Sequence, residues 1–201
     1  MAGSGSYAGL DLGQRQDHSA IAVVERADSY RAYSLAVRHI ERVPLGEPYT
    51  NIVARVRDVV HASHPFGGCS LAVDGTGVGA PVVEMLRGAG LGCEITSVSI
   101  TGGDRENYSR GVWTVPKTDL IAGLQLMLER SELKIVCGLR DSKTLVRELI
   151  DIKARLHTTG RIRVGADGFG EHDDLVIALA LACWRAKRRT VGLVPHRLPG
   201  I

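Results

Sequence analysis

Two rhythms of apolar and polar positions alternate along this chain, and the switches between them mark its elements. Residues 7–12, 19–25 and 30–41 are apolar and β-rich, separated by short polar turns that contain Gly13, Asp17 and Asp28. This pattern predicts three consecutive antiparallel strands. Over 49–62 the period changes: Ile52, Val53, Val56, Val59 and Val60 recur at helical spacing, with Arg55, Arg57 and Asp58 on the other side, predicting an amphipathic helix. A short apolar strand over 70–73 then ends at Asp74, and the glycine-rich stretch Gly75-Thr76-Gly77-Val78-Gly79 leads into a helix over 81–87. Strands are expected over 93–100 and 112–115, with a polar loop over 101–109 between them. Pro116 suits the first turn of a helix whose apolar face is Leu120, Ile121, Leu124, Met127 and Leu128. The remaining pattern predicts a strand over 133–136, a helix over 142–152, a β-hairpin from 153–156 and 161–164 turned at Thr159-Gly160, and a last helix from Asp173 to about Lys187.

The resulting fold class is α/β: a mixed sheet of three antiparallel strands followed by parallel ones, flanked by helices, with an added β-hairpin. At 201 residues and 44% hydrophobic, the chain can bury one substantial core. The expected organisation is a flexible start or expression remnant over 1–6, a single domain over 7–190 and a tail over 191–201. The longest apolar stretches fall well short of the roughly 20 residues that cross a bilayer, and no signal peptide precedes the first strand, so a soluble, cytoplasmic protein is expected. Cys69, Cys93, Cys137 and Cys183 lie at neither zinc-ligand nor redox spacing and read as reduced thiols. Net charge is only +3, but Arg185, Lys187, Arg188, Arg189 and nearby Arg197 crowd one region. A basic rim around an acidic centre suits a phosphodiester held by its backbone; a solvated helix end explains that run equally well.

The chemistry lies in carboxylates that break an apolar pattern. Gly9-Leu10-Asp11-Leu12-Gly13 places a charge within a strand, where an unpaired carboxylate is expensive to bury. Asp74 repeats the anomaly at the end of a second strand. Taken singly, each is an ordinary strand-end aspartate; together they point to a site. A third group, Glu171-His172-Asp173-Asp174, opens a strongly apolar helix, and one N-cap does not need three acids. If Asp11, Asp74 and Asp174 converge, they form an all-oxygen site suited to Mg²⁺ or Mn²⁺. Two such ions about 4 Å apart activate water on one side of a phosphodiester and stabilise the leaving 3′ oxygen on the other. No side-chain nucleophile is needed, and the sequence has no GxSxG motif.

Asp11 on a first strand followed by two more strands, Asp74 ending a fourth, and His172-Asp173-Asp174-Leu175-Val176 followed by Ala178-Leu179-Ala180 resemble the RNase H-like nuclease domain of phage terminase large subunits, over about residues 7–187. The resemblance implies an RNase H-like fold and a two-metal endonuclease that cuts double-stranded DNA during genome packaging in the bacterial host. It implies metal ligands at Asp11, Asp74 and one of Asp173 and Asp174, with Asp174 favoured, Asp173 supporting it or binding the second ion, and His172 assisting. A full large subunit also carries an ATPase motor and works with portal and small-subunit partners. This chain contains no Gly-x-x-x-x-Gly-Lys-Ser/Thr motif, so only the cleavage function is implied.

Lys117, Arg105, Arg110 and, in the C-terminal basic run, Arg188 are candidates for contacting DNA phosphates, although single surface cations are usually just solvated. Trp113 is a candidate for stacking on bases, and Trp184 is expected in the core. The 75–79 glycines read as a tight turn that keeps Asp74 exposed, and Glu84 reads as surface. No base-reading element is visible, so little sequence preference is expected. The same acids also suit a junction-resolving nuclease of the same superfamily. Asp11-Leu12-Gly13 with Asp74-Gly75-Thr76-Gly77 suits an actin-like or sugar-kinase-like ATP-binding domain, although such proteins need two domains. A catalytically silent DNA-binding module follows if the carboxylates fail to converge.

Overall fold

The computed structural model describes residues 4–13, 17–30, 32–63, 68–77, 79–159 and 173–188. Strands β1 (Ser4–Asp11), β2 (Ala20–Asp28) and β3 (Tyr33–Arg42) form the expected antiparallel meander. Helix α1 (Tyr49–Ala62) then carries the chain back to β4 (Cys69–Asp74), which runs parallel to β1. Helix α2 (Gly79–Gly88), β5 (Glu94–Thr101), β6 (Asn107–Ser109) and β7 (Val112–Pro116) extend the sheet on that side, with β5 and β7 parallel and β6 antiparallel at the edge. Helix α3 (Lys117–Glu129) leads to β8 (Leu133–Ile135), parallel to β3 at the opposite edge, and α4 (Ser142–Thr159) and α5 (Asp174–Lys187) follow. The sheet order is β6-β7-β5-β4-β1-β2-β3-β8.

Alternation along the strands separates two cores. Ala8, Leu10 and Leu12 of β1 and its exit pack with Leu71 and Val73 of β4 beneath α1 and α2. Tyr7, Ala20, Ala22 and Ala72 face the other way, under α3, α4 and α5. By the same two-residue period, Asp11 and Asp74 lie on the α5 face. That face is lined with small residues, which lets the almost wholly buried α5 lie directly on the sheet. Gly9 is the closest point: a Cβ there would stand 2.0 Å from the carbonyl oxygen of Ala178 and 2.6 Å from the amide nitrogen of Ala182. Any other residue would push the helix away.

Three expectations need correction. Strand β1 begins at Ser4, not residue 7, because Ser4, Gly5 and Ser6 pair with Ala27, Arg26 and Glu25 of the long β2; backbone pairing does not require apolar side chains. Residues 153–156 continue helix α4 instead of starting a hairpin. Extending an existing helix adds a hydrogen bond per residue fixed, whereas an isolated hairpin is marginal; the second arm, 161–164, lies outside the described residues. The added hairpin is β6–β7: β6 lies in the segment expected to be loop, β7 is the strand expected over 112–115, and the two-residue turn between them is Arg110 (φ 52°) and Gly111 (φ 82°). Positive φ at both positions matches the twist of the paired strands. Among the described residues, no helix is long and apolar enough to cross a membrane.

Candidate active site

Strand direction decides which of the sequence candidates meet. β1, β4, β5 and β7 are mutually parallel, so Asp11, Asp74, Thr101 and Pro116 share one end of the sheet. Helix α5 crosses β1 at Gly9, and one turn before Ala178 it begins at Asp174, above Asp11. The charges of Asp74, Asp174 and Asp173 all act on Asp11. The four carboxylates therefore share one electrostatic neighbourhood, although they come from three distant stretches of chain.

Each is held differently. Asp11 keeps a little exposed surface, but protein fills nearly all the space around its carboxylate, and no donor among the described residues hydrogen-bonds it. Burial, followed by repulsion from Asp74, Asp174 and Asp173, pushes its pKa well above the ordinary aspartate range, and the Lys117 charge pulls against that shift. Asp74 is raised too, chiefly by burial. Its Oδ1 accepts hydrogen bonds from the Thr76 amide at 2.8 Å and the Thr76 hydroxyl at 2.6 Å, so the glycine-rich turn orients this carboxylate. Asp173 is the N-cap residue of α5, but its side chain makes no capping hydrogen bond; it meets Lys117 Nζ at 2.5 Å instead. The buried Asp174 forms an ion pair with Arg42 Nε at 3.5 Å.

Arg42, Glu148 and Asp141 are functional candidates that sequence reasoning missed. The Arg42 guanidinium bridges Glu148 and Asp174, and its backbone amide donates to Asp141 Oδ2 at 3.0 Å. Glu148 Oε2 accepts from the Val176 amide at 3.2 Å, capping α5 from another helix and leaving Asp173 available for other work. Burial pushes the Glu148 carboxyl up to about 7 despite the Arg42 charge. The sequence did carry one signal: Glu148 sits in the apolar phase of Leu145, Leu149 and Ile152, where a solvated residue has no place.

Other candidates separate. Lys117 stands at the carboxylates, and exposed Arg105 lies in the loop from the same end of β5. Arg110 is at the hairpin tip, beside Val112 at the opposite end of β7. Arg188 follows the far end of the 14-residue α5, about 21 Å along the axis, and is paired with Glu106 and laid over Trp184 and Trp113. Arg110 does not reach the carboxylate end, and Arg188 turns toward Glu106 and the two tryptophans. Strand polarity and helix length, which side-chain chemistry alone could not show, set both apart from the four aspartates. Trp184 is in the core as expected, Trp113 packs edge-on against it, and Glu84 is at the surface with Arg87. His172, Glu171, Arg189 and Arg197 lie outside the described residues. All four cysteines are free thiols.

No three His, Cys, Asp or Glu side chains among the described residues form a ready-made ligand shell. The donor set nevertheless fits a hard divalent cation: all its atoms are oxygens, and Asp11 in particular is a buried carboxyl that lacks hydrogen-bond donors among the described residues.

No family model and no curated protein sequence matches this chain. Solved structures do. The human cytomegalovirus terminase nuclease domain, Mn soaked and inhibitor bound, matches with a TM-score of 0.58 at 13% identity, covering 92% of this chain and 84% of that one. The nuclease domain of the bacteriophage SPP1 large terminase, with bound Mn, gives 0.51 at 14% identity, covering 90% and 86%. The P22 large terminase nuclease domain gives 0.53 at 12% identity, covering 92% and 87%. The chain thus has the RNase H-like fold, in the form that terminase nuclease domains take.

Proposed function

We propose that this chain is a metal-dependent endonuclease that hydrolyses DNA phosphodiester bonds with little sequence preference, working alongside an ATPase motor, a portal and a small subunit during viral genome packaging. One observation carries the reading most directly. Asp11 is a buried carboxylate with no donor among the described residues, surrounded by three more carboxylates. Maintaining such a cluster is unfavourable in a protein without a cation to bind, and local violations of this kind concentrate at functional sites. The manganese in the cytomegalovirus and SPP1 domains supports the same reading.

Asp11, Asp74 and Asp174 are the proposed ligands of two Mg²⁺ or Mn²⁺ ions, with Asp173 completing the second site. Such ions, when bound, supply Lewis acidity to the phosphate and acidify a water molecule toward neutral pH. The chain supplies the rest. Thr76 fixes one oxygen of Asp74, and the Arg42–Glu148 bridge fixes the first turn of α5 and with it Asp174. Lys117 and Arg105 would hold backbone phosphates, the contacts expected of a nuclease that reads no bases.

The test is supercoiled plasmid with Mn²⁺ or Mg²⁺. The wild-type protein should nick or linearise it, chelation should stop the reaction, and Asp11→Asn or Asp74→Asn should lower the rate at least about a thousandfold while the protein stays folded. Cutting at wild-type rate by either variant rejects the assignment.

A further inference from the structure

Lys117 is in the wrong place for helix stability. It is the first residue of α3, where the helix dipole favours acids and disfavours a cation. A solvated lysine would turn away, yet Lys117 is only 26% exposed and its ammonium contacts Asp173, itself 32% exposed. Its charge also reaches Asp11 and Asp74, lowering the pKa of both. The other carboxylates have protein partners of their own, Thr76 for Asp74 and Arg42 for Asp174. Among the described residues Lys117 is therefore a cation that faces the cluster from the β7–α3 side, while Arg42 reaches it from β3.

We infer that Lys117 is a built-in counter-cation of the acidic centre: its ammonium occupies the Asp173 side in the metal-free protein, and a second divalent ion enters only by displacing it. This rests on the metal-centre reading above and deepens it. The consequence is ordered loading. A first ion would be held by Asp11 and Asp74, to which no lysine among the described residues forms an ion pair. Asp173 would hold the second only after releasing Lys117, whose ammonium would then be available to a substrate phosphate. A resident positive charge also explains why the acids can stay clustered before any ion binds.

The experiment is calorimetric titration of Mn²⁺ into the metal-free protein, without DNA, for wild type, Lys117→Met, Lys117→Gln and Lys117→Arg, with circular dichroism as the check on folding. Removing a unit charge a few ångströms from a partly exposed site should tighten the weaker Mn²⁺ binding event about tenfold in Lys117→Met and Lys117→Gln. Lys117→Arg keeps the charge and should stay near wild type. Thermal melts should agree: the neutral variants lose stability without metal and gain more from added Mn²⁺ than wild type does. Equal or weaker Mn²⁺ affinity in whichever neutral variant is folded overturns the proposal while leaving the metal centre intact. No Mn²⁺ uptake by wild type overturns the metal centre and the counter-cation together.

Discussion

The two ends of helix α5 use the same kinds of side chain for opposite ends. At its C-terminal end, Arg188 pairs with Glu106 and lies over Trp184, and Arg185 pairs with Glu94 at 2.6 Å. Cations there meet the negative end of the helix dipole, one acid to each arginine, against an aromatic wall. At the N-terminal end four aspartates share Lys117 and a branched Arg42, and Asp11 lacks a donor among the described residues. Charge is balanced at one end and left in excess at the other. The balanced end fastens the helix; the unbalanced end is where the proposed metal ions would be held. A basic cluster and an acidic cluster in a sequence look equally suggestive of function, and only their local pairing separates them.

The sharpest way to break this contrast is to damage the balanced end. Trp184→Ala removes a buried ring that packs against Trp113 and Arg188 and should cost about 3–5 kcal/mol of stability, measured by urea denaturation. The folded fraction should bind Mn²⁺ with unchanged affinity; a weakened metal site would mean that the two ends are one device. Gly9→Ala acts between them. Its new methyl would strike the α5 backbone, so about 1–3 kcal/mol should be lost, together with plasmid cleavage, because Asp174 shifts relative to Asp11. Wild-type cleavage by this variant would show that the helix seating does not set the site.

The smallest effect concerns pH. The ordinary glutamate pKa of 4.5 rises to about 7 for Glu148 in the folded protein. A carboxyl with a raised folded-state pKa holds its proton more tightly when folded. Its contribution is fully present below about pH 4.5 and is lost as pH rises through about 7. Asp11 and Asp74 shift in the same direction. Metal-free wild type should therefore melt at progressively lower temperature over that interval, and Glu148→Gln should make the decline shallower. An identical slope in the variant would remove Glu148 from this account.

Local pattern made much of this legible. The apolar spacing from Ile52 to Val60 defined α1, and charges at Asp11 and Asp74 stood out because their strands are otherwise apolar. What remained hidden depends on chain direction and long-range contact. Arg42 and Glu148 lie 106 residues apart and become partners only when α4 packs beside β3. Whether Arg110 and Arg188 reach the carboxylates is a matter of which way β7 and α5 run. The hairpin expected at 153–164 failed because Lys153 to Leu156 are competent helix formers and a helix was already under way. The close seating of α5 on Gly9 likewise depends on a long-range contact that no local pattern marks.

The outermost strands, β6 and β8, have three residues each, and the middle residue of β8 is the exposed Lys134. A broad sheet with long bare margins would invite neighbouring molecules to add strands and grow into aggregates. Margins this short, one of them bearing a charge, offer an incoming strand few backbone groups to bond. The fold can thus span eight strands while leaving little open backbone at either edge of the sheet.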